Sequence, residues 1–413
     1  MLGTARASIA RAVFVWMITC LREAAWLTPD RARAYRRVML AVMVVTGLGW
    51  VGLSHHGLDP TGKPLGTDFV SFWTAARMAI SGQPAAVYEP ALHAAAEHAA
   101  FPGVARYFAF FYPPVFLLMC LPLAALPYFG ALIVWLGVTG LAYWRSLRAV
   151  WPQGGTALIA FPAVFIDLGH GQNGLLTAAL FAIALTLMDR RPVLAGIALG
   201  CLIYKPQFLL AVPLVLLVAR RWSALLGLVV SGVGLAAISA AVFGVGTWRA
   251  FLATTALARE ALEQGLMGFE KLQSVFGAVR LLGGGVGLAY ALQGVMSVGV
   301  LICLIRLALR RPTGATLVAA LAAAAPLITP FVLDYDLLVV AAPLAWMMHG
   351  ALRTGFEPWE KSVLAAGFAL PLVSRQLAGF ASLPLGPAVL LAVFAVVVAR
   401  AARRPYLYAG LLD

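Results

Sequence analysis

Apolar residues fill this chain in long continuous runs, separated by short clusters of Arg, Asp, Gly and Pro. Continuous runs predict helices that are apolar on every side, and about 20 such residues cross a bilayer core. A transmembrane barrel needs short alternating strands, so it is excluded. The runs recur along nearly the whole sequence. They predict an all-α, polytopic integral membrane protein with about 12 transmembrane helices. It forms a single membrane domain over 1–413, with no room for a large soluble domain.

The polar clusters orient the runs. The first crossing reads from about Val38 to Ser54, after Arg31, Arg33, Arg36 and Arg37. Its start is therefore cytoplasmic, and 1–37 is a cytoplasmic N-terminal segment. Inside that segment, Ala12 to Leu21 is too short to cross and reads as an interfacial amphipathic helix, not a signal peptide. The arginine-rich turns at 189–191, 220–221, 306–311, 349–353 and 400–404 belong on the same side. The opposite side receives a first extracytoplasmic loop over 55–110 and a second over 244–283. It also receives the turns His170 to Asn173, Lys205 to Gln207 and Asp334 to Asp336. The first loop predicts two helices lying at the membrane surface, Trp73 to Ile80 and Pro90 to Ala100, with Gly82-Gln83-Pro84 between them. Residues 111–147 read as two short helices broken at Pro122 to Pro127, giving one crossing plus a re-entrant or surface piece.

Composition changes this picture little. Charged residues are only 11% of the chain, and mean hydropathy is +0.92. The net charge of +14 would suggest nucleic acid in a soluble protein. Here the cations sit at the ends of apolar runs, so nucleic acid is excluded and contact with membrane lipids takes its place. The four cysteines lie in apolar stretches with no CxxC spacing and read as packing residues.

Candidate chemistry collects on the extracytoplasmic side. Asp68 is either a hydrated loop carboxylate or a general base at a membrane mouth. Trp73 could offer a sugar a stacking surface. Lys205, at a Pro-broken helix, is either a snorkelling lysine or a cation for a lipid phosphate. Gln172 and Asn173 read as a polar helix start, with Asn173 as the N-cap, or as hydroxyl recognition. Asp334 and Asp336 form a D-x-D pair, which could hold a divalent ion or simply favour a helix dipole. The cluster His93, Glu97 and His98 lacks a standard zinc spacing.

Several segments fall in a recognisable order. Asp68, Phe72-Trp73, Ala75-Ala76-Arg77, Gly82-Gln83-Pro84 and Tyr112-Pro113-Pro114 come first. Gly171-Gln172-Asn173, Lys205-Pro206-Gln207, Gln273-Ser274 and Asp334-Tyr335-Asp336 follow. Together they resemble glycosyltransferase family 87, of the GT-C superfamily. The resemblance implies an inverting membrane glycosyltransferase of the cytoplasmic (inner) membrane with its active site on the extracytoplasmic face. It implies a polyprenyl-phosphate sugar donor, mannose by analogy, and a lipid or glycan acceptor. It implies neither cofactor nor metal. Asp68 matches the family's catalytic aspartate. Lys205, Gln172, Asn173, Trp73, Arg77, Tyr112, Gln273, Asp334 and Asp336 become candidate substrate contacts.

The rival reading is a polytopic transporter or lipid flippase. That class would want charges along a path through the membrane and internal repeats, and the sequence has neither.

Overall fold

The computed structural model describes residues 14–104 and 106–403. Residues 1–13 and 404–413 carry part of the expected amphipathic helix and of the last arginine cluster, and these parts lie outside the described residues. Among the described residues the regular structure is helical, with only isolated bridges between extended segments. A helix over 14–23 opens it. From Pro29 onward, helices of nine or more residues are numbered in chain order, and shorter turns keep their residue ranges.

Helix α1 (Pro29–Gly52) begins well before the expected start at Val38. Thr28 supplies the N-cap by accepting from the Arg31 amide, Pro29 fills the first turn and Asp30 favours the dipole. The arginines at 31–37 therefore wind into the helix instead of preceding it. None of its residues is buried.

The first loop holds two helices as expected, α2 (Phe69–Ile80) and α3 (Pro90–Ala100). Helix α2 does not lie open on a surface, however. Phe69, Val70, Phe72, Ala75 and Ala76 are buried against Pro114–Cys120, Leu121–Ala125 and α3. Past Leu121–Ala125 the chain departs from expectation again, because the short helix there is α4 (Tyr128–Val150), 23 residues long. At 1.5 Å per residue it reaches about 35 Å.

The remaining chain runs through α5 (Pro162–His170), α6 (Gly174–Leu187) and α7 (Pro192–Gly200). Then come α8 (Trp222–Phe243), α9 (Val245–Gln264), α10 (Val286–Leu309) and α11 (Gly314–Ile328). It ends with α12 (Ala341–Thr354), α13 (Glu360–Ala381) and α14 (Gly386–Arg403). Among the described residues six helical segments are long and apolar enough to cross a membrane: α1, α8, α10, Asp334–Thr354, α13 and α14. The chain is a multi-pass membrane protein. Shorter apolar helices, α6 and α11 among them, form the centre. Helix α11 is rich in alanine and buried almost throughout, because small side chains let neighbours approach where burying apolar surface gains little.

The tightest approach joins α7 to α8. A Cβ on Gly196 would lie 1.9 Å from the Ala224 carbonyl oxygen, and one on Gly227 would lie 2.1 Å from that of Val193. One on Gly200 would lie 2.4 Å from the Leu228 carbonyl oxygen. The two backbones touch, and only glycine permits it.

Ion pairs at the arginine-rich turns fasten the ends. The Asp189 carboxylate accepts from the Gly314 and Ala315 amides at 2.8 and 3.2 Å, satisfying the start of α11, and pairs with Arg221 at 3.0 Å. Buried Arg400 of α14 pairs with Glu360 of α13 at 2.6 Å.

Two fully buried groups fix helix α3, one against α2 and one against the loop that follows α3. His93 Nε2 lies 3.3 Å from the Ser71 carbonyl, and Glu97 accepts from the Phe108 amide at 3.0 Å. Their side chains are 3.7 Å apart, while His98 faces outward on the same helix. The three expected members of a cluster therefore do not converge.

Burial pushes His93 down to about 4 from 6.5. Burial likewise pushes Glu97 up to about 8 from 4.5, against the Phe108 hydrogen bond. Both are thus neutral near pH 7. The two linkage slopes oppose each other. His93 binds fewer protons folded than unfolded between pH 4 and 6.5, so it makes stability rise with pH there. Glu97 binds more protons folded between pH 4.5 and 8, so it makes stability fall as pH rises. Thermal stability should be nearly flat from pH 4.5 to 6.5 and decline from 6.5 to 8. Melting curves of the Glu97→Gln variant should lose that decline. An unchanged decline would mean the pair does not titrate this way.

Candidate active site

The turn between α5 and α6 positions the chemistry. Gly171 ends α5 in the left-handed region at φ 62°. A Cβ there would lie 2.6 Å from Cβ of Phe69 and 3.0 Å from the Gly66 carbonyl oxygen. Glycine therefore serves both the conformation and the close approach. Trp135 of α4 donates Nε1–H to the Gly171 and Gln172 carbonyls, both at 3.1 Å, and holds the turn from behind. The result lays residues 170–173 against the start of α2, where the Asp68 amide donates to the His170 carbonyl at 3.0 Å.

Asp68 stands at the N-cap of α2, yet its carboxylate makes no capping bond to that helix. It turns to the 170–173 loop instead. Gln172 Nε2 donates to Asp68 Oδ2 at 3.0 Å, and His170 Nδ1 lies 3.4 Å from the same oxygen. Gln172 is oriented in turn, because its Oε1 accepts from the Tyr112 hydroxyl at 3.0 Å and from the Asn173 amide at 3.2 Å. Asp68 is 24% exposed. It is thus a mostly enclosed, hydrogen-bonded acid, not a hydrated loop residue. Among the described residues both of its side-chain contacts fall on Oδ2.

Burial pushes the Asp68 pKa up. The charge and hydrogen bond of His170, the Gln172 bond and the charge of Lys271 outweigh it, and the net direction is down. The group is thus held as a carboxylate at neutral pH.

Asn173 occupies the expected N-cap position of α6 but does not cap it. Buried Asp167 does so, accepting from the Gly174 amide at 2.7 Å. Both amide atoms of Asn173 are buried without a well-formed hydrogen bond.

Lys205 is 3% exposed and sits 2.5 Å from Asp336 Oδ1, which is itself buried. The rings of Tyr335 and Phe208 cover its ammonium at 5.4 and 5.7 Å. Asp336 Oδ2 accepts from the Leu333 amide at 3.0 Å. Lys205 therefore neither snorkels nor offers a free cation. Asp334 goes elsewhere, pairing with Arg375 of α13 at 3.3 Å. The D-x-D carboxylates thus face two different cations, as alternate residues of a tight helical turn must.

Gln273 is buried in the seam between two outer segments. Its amide donates to the Val332 carbonyl at 2.9 Å, and its Nε2 donates to the Lys271 carbonyl at 3.2 Å. Ser274 adds a bond to the Pro330 carbonyl at 2.6 Å. This seam carries Lys271 toward Asp334 and Asp68, where it feels both charges. Trp73 and Arg77 are not brought into the cluster. Trp73 donates to the Leu126 carbonyl at 3.0 Å and Arg77 to that of Ala124 at 3.3 Å, so they tie the 121–126 turn to α2.

Sequence reasoning missed His170, Lys271, Arg375 and Asp167 as site residues. His170 had a local signal, since it directly precedes Gly171-Gln172-Asn173. The other three are selected only by tertiary folding.

A bundle of apolar helices that carries a polar, partly open cluster on its loops defines a polytopic membrane protein. The chain belongs to glycosyltransferase family 87, whose family model matches residues 110–330. No curated protein and no solved structure matches the chain. The matched region includes Tyr112, His170, Gln172, Asn173, Lys205, Lys271 and Gln273, while Asp68, Asp334, Asp336 and Arg375 lie beyond it. The protein is a membrane glycosyltransferase, and this activity entails a sugar donor and an acceptor in the membrane.

Proposed function

We propose that the protein moves a hexose, mannose by the family resemblance, from a polyprenyl-phosphate donor to a hydroxyl of a lipid or glycan. Transfer takes place on the extracytoplasmic face of the cytoplasmic membrane. About 12 crossings accommodate this, with short helices such as α7 and Val212–Val218 each supplying part of one. The arginine-rich turns favour the orientation.

The observation that carries the reading is the presentation of Asp68. Gln172 and His170 hold one carboxylate oxygen, and the other is left for an acceptor. In the step, Asp68 removes the acceptor's hydroxyl proton while that oxygen bonds to the anomeric carbon. The bond from that carbon to the phosphate oxygen breaks on the opposite face. The lipid phosphate leaves with the electron pair, and the configuration inverts. A lipid-linked donor keeps its tail in hydrocarbon and needs no nucleotide pocket.

The test uses protein in vesicles with labelled donors. Label should reach a membrane acceptor from polyprenyl-phosphate mannose and not from a nucleotide-linked mannose. The new linkage should have inverted anomeric configuration by NMR. Transfer from the nucleotide sugar with the lipid donor inert would refute the proposal, as would solute uptake with no sugar transferred.

A further inference from the structure

Charged side chains gather around Asp68 and Asp334. Asp334 is matched by Arg375 at 3.3 Å and Asp68 by His170 at 3.4 Å. Lys271 and Lys63 remain, and they repel each other weakly. Lys271 is half-buried, and among the described residues no carboxylate lies within ion-pairing distance of its ammonium. The 269–271 turn packs against α13, whose Arg375 is 38% exposed and spends one N–H on Asp334. A guanidinium has five N–H donors in a planar fork. A half-buried ammonium and a partly committed guanidinium beside it leave an anion-shaped deficit. Lys205 cannot fill this role, because Asp336 already neutralises it in the interior.

Resting on the transferase reading, we propose that Lys271 and Arg375 form the subsite for the donor's lipid-linked phosphate. Asp334 acts as the positioning residue that aims Arg375. The subsite assembles from two distant places. The 273–274 seam with 330–332 delivers Lys271, and α13 delivers Arg375. Lys271 is near enough to Asp68 for each to feel the other's charge, and in-line displacement would set the base and the departing phosphate on opposite sides of one sugar carbon. The excess positive charge there also stabilises the phosphate as negative charge builds on it.

The test measures binding without transfer. Full-length protein in nanodiscs is titrated with a ten-carbon isoprenyl monophosphate, the matching isoprenol and inorganic phosphate. Wild type should prefer the monophosphate over the isoprenol. Lys271→Met and Arg375→Met should each weaken the monophosphate by roughly 10- to 100-fold, the loss of one charge-assisted bond. Isoprenol binding should stay unchanged, which also reports that each variant is folded. Arg375→Lys should recover part of the loss. Asp334→Asn should change monophosphate affinity mainly through Arg375, so its effect should be much smaller in the Arg375→Met background.

Unchanged monophosphate binding in Lys271→Met and Arg375→Met would overturn the subsite. Inorganic phosphate binding as tightly as the monophosphate would overturn its assignment to a lipid. The two readings fail separately. A wild type that binds the monophosphate through these cations yet transfers no hexose refutes the transferase reading alone. A Lys271→Met enzyme with wild-type kcat and donor KM refutes the subsite alone.

Discussion

Asp68→Asn should lower kcat by roughly 10²- to 10⁴-fold, the usual worth of a positioned general base. The substitution keeps an oxygen for Gln172 to donate to and removes only the charge and the basicity, so folding should be little affected. Donor KM should change far less than kcat, because the base touches the acceptor. The acidic limb of the pH–rate profile provides a second readout. Asp68 is held below the ordinary carboxylate range, since His170, Gln172 and Lys271 outweigh the upward push of burial. Activity should therefore persist to lower pH than an isolated carboxylate would allow. Removing the imidazole by His170→Phe should move that limb upward. A well-folded Asp68→Asn enzyme with wild-type turnover would end the assignment.

Lys205→Met should destabilise the protein more than any substitution at the mouth of the site. Removing one partner of a buried pair leaves the other charge in a medium that cannot solvate it, at a cost of about 3–5 kcal/mol. Asp336 would keep only the Leu333 amide as a donor. The expected result is a large drop in the thermal midpoint in detergent, or failure to purify as a monodisperse protein. The double variant Lys205→Met with Asp336→Asn should lose much less than the sum, because no bare charge then remains. If Lys205→Met instead melts like wild type while donor KM rises, the residue contacts substrate and its structural role is wrong.

These two residues mark what the chain reveals before it folds. Asp68 and Gln172 are 104 residues apart, yet both could be singled out, because a carboxylate and an amide beside apolar runs are conspicuous. The family is legible for the same reason, in short polar motifs whose order survives. Partnership is not legible. Lys205 looks like a free cation until Asp336, 131 residues away, occupies it. Arg375 sits in an ordinary apolar helix with nothing nearby to mark it. Trp73 and Arg77 share a motif with Asp68, but helical geometry turns them to another face, where they hold the 121–126 turn. Helix ends also depend on competition that periodicity ignores. Thr28 and Pro29 open α1 a full two turns before the apolar run, because a good cap outweighs a few arginines whose stems tolerate a helix.

The backbone contact of α7 with α8 has a mechanical consequence. Two helices meshed at three glycines cannot slide or rotate past one another without atoms colliding. That joint is clamped, and Lys205, a few residues beyond α7, inherits its stiffness. Any give at the site must then come from elements outside this joint, such as α13, which carries Arg375, or the short hydrogen-bonded seam that carries Lys271.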